Sequence, residues 1–337
     1  MNLTYLEKSI LATIAYYDVL DYPMTGFEVF KYLINPLHIA RLSGIDFNAE
    51  IEPMENINLI NVLRELKSEN LKPYIDEKNG FYFLRSRAGI IETRIERQKV
   101  SDELWKRAKK YTKYLQVIPF IKMILVSGSL AMSNARKESD IDLLIVAKHK
   151  RIWTVRFLIT LFFQLIGKRR HGKKTVGKFC LNHYITDKSL KINFPSLYNA
   201  QIYSHMIAVF ENEQNIYNRF QFENRWITDY LYFYDLQKID NQRKIKNNSF
   251  FNFIAKTKEL FLNTLIGSVL EKILGFFQRY HIKHHPLRNK KEGRVLANDN
   301  QLEFHPISPE MKILDKYNEN MLRLGFELER ERDSGLS

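Results

Sequence analysis

One stretch constrains this chain more than any other: Ile121 to Val146, reading IKMILVSGSLAMSNARKESDIDLLIV. It begins with an apolar run, Met123 to Val126, which reads as a buried strand. A small-residue turn follows, Ser127-Gly128-Ser129. Asp140 and Asp142 then flank Ile141 at the head of a second apolar run, Leu143 to Val146. Side chains alternate along a strand, so both carboxylates share one face and Ile141 takes the other. Two adjacent carboxylates repel each other. The arrangement persists most easily with a divalent cation between them, for which carboxylate oxygens are suitable ligands.

This pattern resembles the nucleotidyltransferase superfamily related to DNA polymerase beta, whose signature is an apolar strand, Gly-Ser or Gly-Gly, a spacer, and Asp-apolar-Asp in a second strand. Ser139-Asp140-Ile141-Asp142-Leu143 looks most like the minimal, antitoxin-type and antibiotic-modifying members. The resemblance covers Glu92 to Asp187. It implies that Gly128 lets backbone approach a triphosphate, that Ser129 contacts a phosphate oxygen, and that Asp140 and Asp142 are the catalytic pair that holds Mg²⁺. Gly128, Ser129, Ser139 and Asn182 form the nucleotide-binding set expected from it. The physical division of labour agrees: glycine clears space for an anion, and hard Mg²⁺ binds carboxylate and phosphate oxygens. The implied activity moves a nucleoside monophosphate from an NTP to a hydroxyl on a protein, an RNA or a small molecule.

The chain departs from that family on its third strand, Lys178 to Thr186, reading KFCLNHYIT. Relatives place a third carboxylate there, often as base for the attacking hydroxyl. Asn182 is the expected occupant here, and an amide cannot usefully accept a proton. His183 is expected on the opposite face, and Asp187 lies past the strand end. The alternative reading is therefore a catalytically weak or inactive module, antitoxin-like, that binds nucleotide, protein or DNA.

Charge sharpens the picture. Residues 1–90 hold nine Lys/Arg and twelve Asp/Glu, a net of −3, so the rest of the chain carries +17 of the total +14. Between Asp142 and Asp187 there is no acid, and ten bases fall in that gap: Lys148, Lys150, Arg151, Arg156, Lys168, Arg169, Arg170, Lys173, Lys174 and Lys178. A positive field around the metal pair suits a triphosphate. The single cysteine, Cys180, rules out an internal disulfide and suggests a reducing compartment. The N-terminus lacks the basic start of a signal peptide, so a cytoplasmic location is expected. The longest apolar candidate, residues 152–167, contains Arg156 and is short for a membrane span.

The expected fold class is α+β in three parts. Residues 1–90 look like a winged helix-turn-helix domain: helices at Leu6 to Tyr17, Gly26 to Ile34 and Ile57 to Ser68, then strands Leu71 to Ile75 and Phe81 to Leu84 about the Asn79-Gly80 turn. Its net acidity does not favour DNA as a partner. The segment 35–56 has no reading. Residues 91–190 form the nucleotidyltransferase domain, a mixed sheet with helices, entered by a charged helix at Ile91 to Tyr114 and containing a helix at Arg151 to Ile166. Residues 191–337 are expected to be helical: Leu197 to Phe210, Asn224 to Leu236, a long amphipathic stretch from Ser249 to Tyr280, and Glu310 to Leu324. Phe276, Phe277 and Arg279 with the basic residues after them also admit a membrane-surface role. His281, His284 and His285 read as a solvated loop, and Arg279 with His284 loosely resembles the Arg–x4–His pattern of HEPN ribonucleases.

Overall fold

Capping chemistry sets the first helices. In the computed structural model, which describes residues 3–44, 56–170, 172, 175–234, 242–284, 294–305, 308–326 and 330–331, Thr4 and Glu7 form a reciprocal capping box. It opens α1, Tyr5–Val19. A second box, Thr25 with Glu28, opens α2, Gly26–Lys31, directly after a two-residue strand β1, Met24–Thr25. Helix α3, Pro36–Leu42, starts on a proline with Asn35 as its cap. It occupies the front of the segment that had no reading, of which residues 45–55 lie outside the described residues. Helix α4 covers Leu59–Glu65.

The strand expected from Leu71 begins instead at Ile75, because residues 71–74 turn. Pro73 has no N–H to give a ladder. Strands β2, Ile75–Lys78, and β3, Phe81–Leu84, pair across Asn79 and Gly80, both at positive φ. With β1 they form a small antiparallel sheet in the order β1-β3-β2. Helix α5, Ile90–Thr112, then leads away. Its Arg94 grips both Glu28 carboxylate oxygens at 2.7 and 3.0 Å, and Arg97 pairs with Asp21 at 3.1 Å.

The second sheet is built from β4 (Ile121–Ser127), β5 (Ile141–Ala147), β6 (Phe179–Thr186), β7 (Ile207–Glu211), β8 (Arg294–Ala297) and β9 (Gln301–His305). Helices α6 (Gly128–Ala131), α7 (Ile152–Leu165), α8 (Leu197–Ser204), α9 (Ile216–Glu223), α10 (Ser249–Leu262), α11 (Leu265–Lys283) and α12 (Glu310–Arg323) complete the order. The strand order is β7-β4-β5-β6-β9-β8. Only β5 and β6 are parallel, joined through α7, so the sheet is mixed.

Three of these strands lie in the part expected to be helical. Residues 197–210 are not one helix: α8 stops at Ser204 and β7 follows, adding to the free edge of β4. A run of four apolar residues, Ile207 to Phe210, carries too little period to separate helix from strand, and the waiting edge decides it. Strands β8 and β9 form a hairpin that extends the opposite edge beside β6. Residues 224–236 are not a continuous helix either: α9 ends at Glu223 and a short 3₁₀ turn, Arg225–Asp229, follows, while residues 235–241 lie outside the described residues. The stretch 249–280 is two helices meeting at 91°. At Gly267 a Cβ would run into the Leu262 carbonyl oxygen, so the corner closes only around a glycine.

Both faces of the large sheet are covered. Met123, Leu125, Leu144, Val146 and Ile185 pack towards α1, α8 and α12, while Ile124, Val126, Leu143, Ile145 and Tyr184 pack towards α5 and α7. Each such fully buried side chain is worth about 1.5–3 kcal/mol. The first of these cores is continuous with that of the N-terminal elements. Tyr17 donates to Gln201 at 2.7 Å, the Tyr32 ring stacks on His205 at 3.7 Å, and the Tyr16 and Tyr317 rings meet at 5.8 Å. Tyr203 and Phe210, from the aromatic-rich segments, are core residues in the same way.

Burial holds His205 neutral, its pKa down at about 4, and holds His183 down at about 3. The unfolded chain binds these protons first, below its ordinary value of about 6.5, so stability is complete above that value and lost as pH falls towards about 4. Between pH 6.5 and pH 5 each histidine removes about 2 kcal/mol. Thermal unfolding followed at pH 7.5 and pH 5.0 shows the loss, and His205→Gln flattens the slope. An unchanged slope in that variant means His205 already carries its proton in the fold.

Candidate functional site

The site is assembled by register. Antiparallel pairing of β4 with β5 sets Ser127 opposite Asp142, so the turn after β4 lies against the second carboxylate. Gly128 has φ +66°, and a Cβ on it would stand 2.7 Å from Asp142 Oδ2. Glycine is needed here twice over, for its left-handed backbone and for the space. The Ser129 hydroxyl donates to Ser139 Oγ at 3.4 Å, and Ser139 Oγ accepts the Arg136 amide at 2.9 Å. These bonds tie the turn after β4 to the entry of β5.

Parallel pairing of β5 with β6 sets Cys180 opposite Asp142. The ligand atoms of Asp140, Asp142 and Cys180 lie within 4.8 Å of one another. Burial pushes the Asp142 carboxyl up, to about 7, and the charge of Asp140 pushes it the same way, while the Cys180 thiol and Arg170 oppose them. Burial and the two carboxylates also push the Cys180 thiol far up, so it stays a neutral donor.

A cation already stands at the pair. The basic segment after α7 runs alongside β6: the Phe179 amide donates to the Lys168 carbonyl at 2.8 Å and the Arg170 amide to the Phe179 carbonyl at 3.0 Å. That pairing delivers Arg170, whose Nη1 donates to Asp140 Oδ2 at 2.6 Å and reaches Cys180 Sγ at 3.5 Å. Other bases of the acid-free gap serve the fold. Arg151 donates to the Leu262 carbonyl at 3.0 Å and Arg156 to Gln278 at 2.6 Å. Lys173 and Lys174 lie outside the described residues.

Asn182 is not the residue that stands opposite Asp142. The ladder slips between Asp142–Cys180 and Leu144–His183, so β6 carries one extra residue at 181–182. A bulge breaks the alternation on which the sequence expectation rested. The Asn182 amide instead meets His305 Nδ1 at 3.0 Å, across on β9. The same slip corrects His183: it stands opposite Leu144, on the face that bears Asp142, rather than on the other face. Cys180 is the site residue that sequence reasoning missed; its place on the same strand was visible, but the register was not.

The remaining sequence signals resolve into structure. Asp187 accepts the His149 amide at 2.8 Å. Arg279 pairs with Asp299 at 2.6 Å and His284 Nδ1 meets the Tyr280 carbonyl at 2.8 Å, so both members of the Arg–x4–His pattern have structural partners, and His285 lies outside the described residues. A separate cavity of ≈ 280 Å³ opens where the N-terminal elements meet the sheet, lined among others by Lys31, Tyr32, Arg94, Ser133, His205 and Arg243.

No curated protein and no solved structure matches the chain. Residues 102–249, from within α5 to the start of α10, match the family model described as the nucleotidyltransferase domain, which supports the superfamily and a general nucleotidyl transfer for this part of the chain.

Proposed function

We propose that the protein transfers a nucleoside monophosphate from an NTP to a hydroxyl acceptor, with Mg²⁺ held by Asp140 and Asp142 and pyrophosphate released. The observation that carries this reading is the Asp140–Asp142–Cys180 cluster beside Gly128, inside a segment that matches the nucleotidyltransferase domain. The donor set suits the cation: two carboxylates offer hard oxygens, and the Arg170 guanidinium offsets only part of their mutual repulsion. Bound Mg²⁺ supplies charge neutralisation and alignment of the triphosphate. Gly128 leaves room for phosphate against the backbone, and the Ser129 hydroxyl is free to turn from Ser139 to a phosphate oxygen. Arg170 moves from Asp140 to the departing pyrophosphate, where an arginine fork fits phosphate oxygens. The cluster holds no third carboxylate, so positioning and charge neutralisation supply the rate.

The N-terminal elements, four helices and a three-stranded sheet with a tight hairpin, support a winged-helix reading used as a scaffold. Their core is shared with the large sheet, and Arg64 of α4 is engaged by Glu65 at 3.1 Å. The second reading, a nucleotide-binding regulator without turnover, is favoured by one observation: the residue opposite Asp142 on β6 is a thiol, Cys180, rather than a carboxylate.

Four substitutions test these assignments. Asp142→Asn abolishes Mg²⁺-dependent release of pyrophosphate from labelled NTPs, assayed with protein, RNA and small-molecule acceptors; equal turnover in wild type and variant removes the site. Gly128→Ala drives the Asp142 carboxylate from its place and weakens Mg-NTP binding by more than about tenfold, as read by calorimetry. Cys180→Asp adds a carboxylate beside the pair and tightens divalent-cation binding, whereas Asn182→Asp changes it little. The reverse order of affinities assigns the third position to Asn182.

A further inference from the structure

The two helices that meet at Gly267 turn their apolar sides outward. On α11, Leu265, Ile266, Val269, Ile273, Phe276 and Phe277 are all exposed, Leu265 by 86%. At 100° per residue they fall within an arc of about 120° on one side of the helix. The opposite side faces the protein with Gly267, Glu271 and Gly275. Around the corner, Phe250, Phe253, Leu260 and Phe261 of α10 are exposed on a second arc of about 100°. Helix α7, on which α11 packs, adds exposed Phe157, Leu161 and Leu165. An ordinary surface helix shows the reverse distribution, and apolar patches of this extent mark an interaction surface.

The charges flanking those arcs are of one sign. Lys256 and Lys258 stand on either side of the α10 arc, and Lys272 and Lys283 lie along one margin of the α11 arc, where Arg279 is engaged by Asp299. The acids of the two helices are turned inward: Glu259 accepts the Phe120 amide at 2.6 Å, and Glu271 accepts the Trp153 and Thr154 amides at 2.9 Å each. From 243 to 294 the chain carries twelve Lys/Arg and three acids. A second copy of the chain would bring the same basic margins against each other, whereas an anionic surface complements them. No single helix among the described residues is long and apolar enough to cross a membrane, and the two helices meet at 91°.

We propose that α10 and α11 form a peripheral docking surface for an anionic lipid bilayer. The aromatic and aliphatic side chains enter the boundary between headgroups and acyl chains, and the flanking lysines reach the headgroup phosphates. The surface is independent of the transferase reading, because none of its residues touches Asp140, Asp142 or Cys180.

Sedimentation of the full chain with vesicles tests it. Vesicles of phosphatidylcholine and phosphatidylglycerol should carry the protein down, and vesicles of phosphatidylcholine alone should bind it at least about tenfold more weakly. The double variant Phe276→Glu, Phe277→Glu should lower partition into the anionic vesicles more than about tenfold, with its unfolding temperature unchanged because both rings are exposed. Three results overturn the proposal: no partition into anionic vesicles, partition unaffected by the double variant (which reports adsorption by charge alone), and a dimer in analytical ultracentrifugation that the double variant converts to monomer.

Discussion

Everything at the candidate site depends on holding two like charges next to each other at the head of β5. Asp140 and Asp142 repel, and burial makes the repulsion stronger because less solvent screens it. The fold manages this with positive charge and with space. Arg170 lies on Asp140, brought there by backbone pairing of its own segment with β6. Gly128 gives the Asp142 carboxylate room that any other residue would take. The strain that remains is relieved by the kind of ligand the site is read to bind, a cation with its attendant phosphates, so the apo arrangement and the proposed chemistry follow from one electrostatic fact.

The sheet is what makes this geometry available. Register between β4 and β5 puts the glycine turn opposite Asp142, and register between β5 and β6 puts Cys180 there too. Flanking rows of fully buried aliphatic residues on both faces fix these registers, since a slip of one residue would expose a core row. The N-terminal elements contribute to that same core through Tyr17 and Tyr32, which meet Gln201 and His205. They act on the site as a wall of the building rather than as a tethered module.

How much of this could be read beforehand follows from what each pattern specifies. The apolar runs of β4 and β5, the Gly-Ser turn and the aspartate pair are local, and so are the capping boxes of α1 and α2; a single stretch of chain determines them. The central mixed sheet was accessible for the same reason. What could not be read is whatever depends on a distant partner. Strands β7, β8 and β9 exist because β4 and β6 have edges to fill, and their own short runs carry no decisive period. Cys180 and Asn182 were not separable, because alternation counted through a bulge gives the wrong face. The break between α10 and α11 needs the close approach at Gly267, which a helical-periodicity count does not see.

The outward turn of α11 has a cause in the same chain of dependencies. Helix α7 follows the aspartate-bearing strand and must start at once, yet Arg151 at its N-cap position makes no capping bond. Unsatisfied amides at a buried helix start are costly, and a missing cap is worth about 1 kcal/mol or more. The cap comes from elsewhere: the Glu271 carboxylate of α11 accepts the amides of Trp153 and Thr154, and also the Thr154 hydroxyl at 2.6 Å. Gln278 reinforces it by donating to the Trp153 carbonyl at 3.0 Å, while Gly275 lets the Trp153 ring lie close. Helix α11 therefore spends its polar and small residues on its inner face, and the apolar residues that remain have only the outside to occupy. Polarity inside and grease outside is the condition under which a helix binds a surface other than its own protein, so the demand for a cap on α7 and the proposed lipid face are two sides of one packing solution.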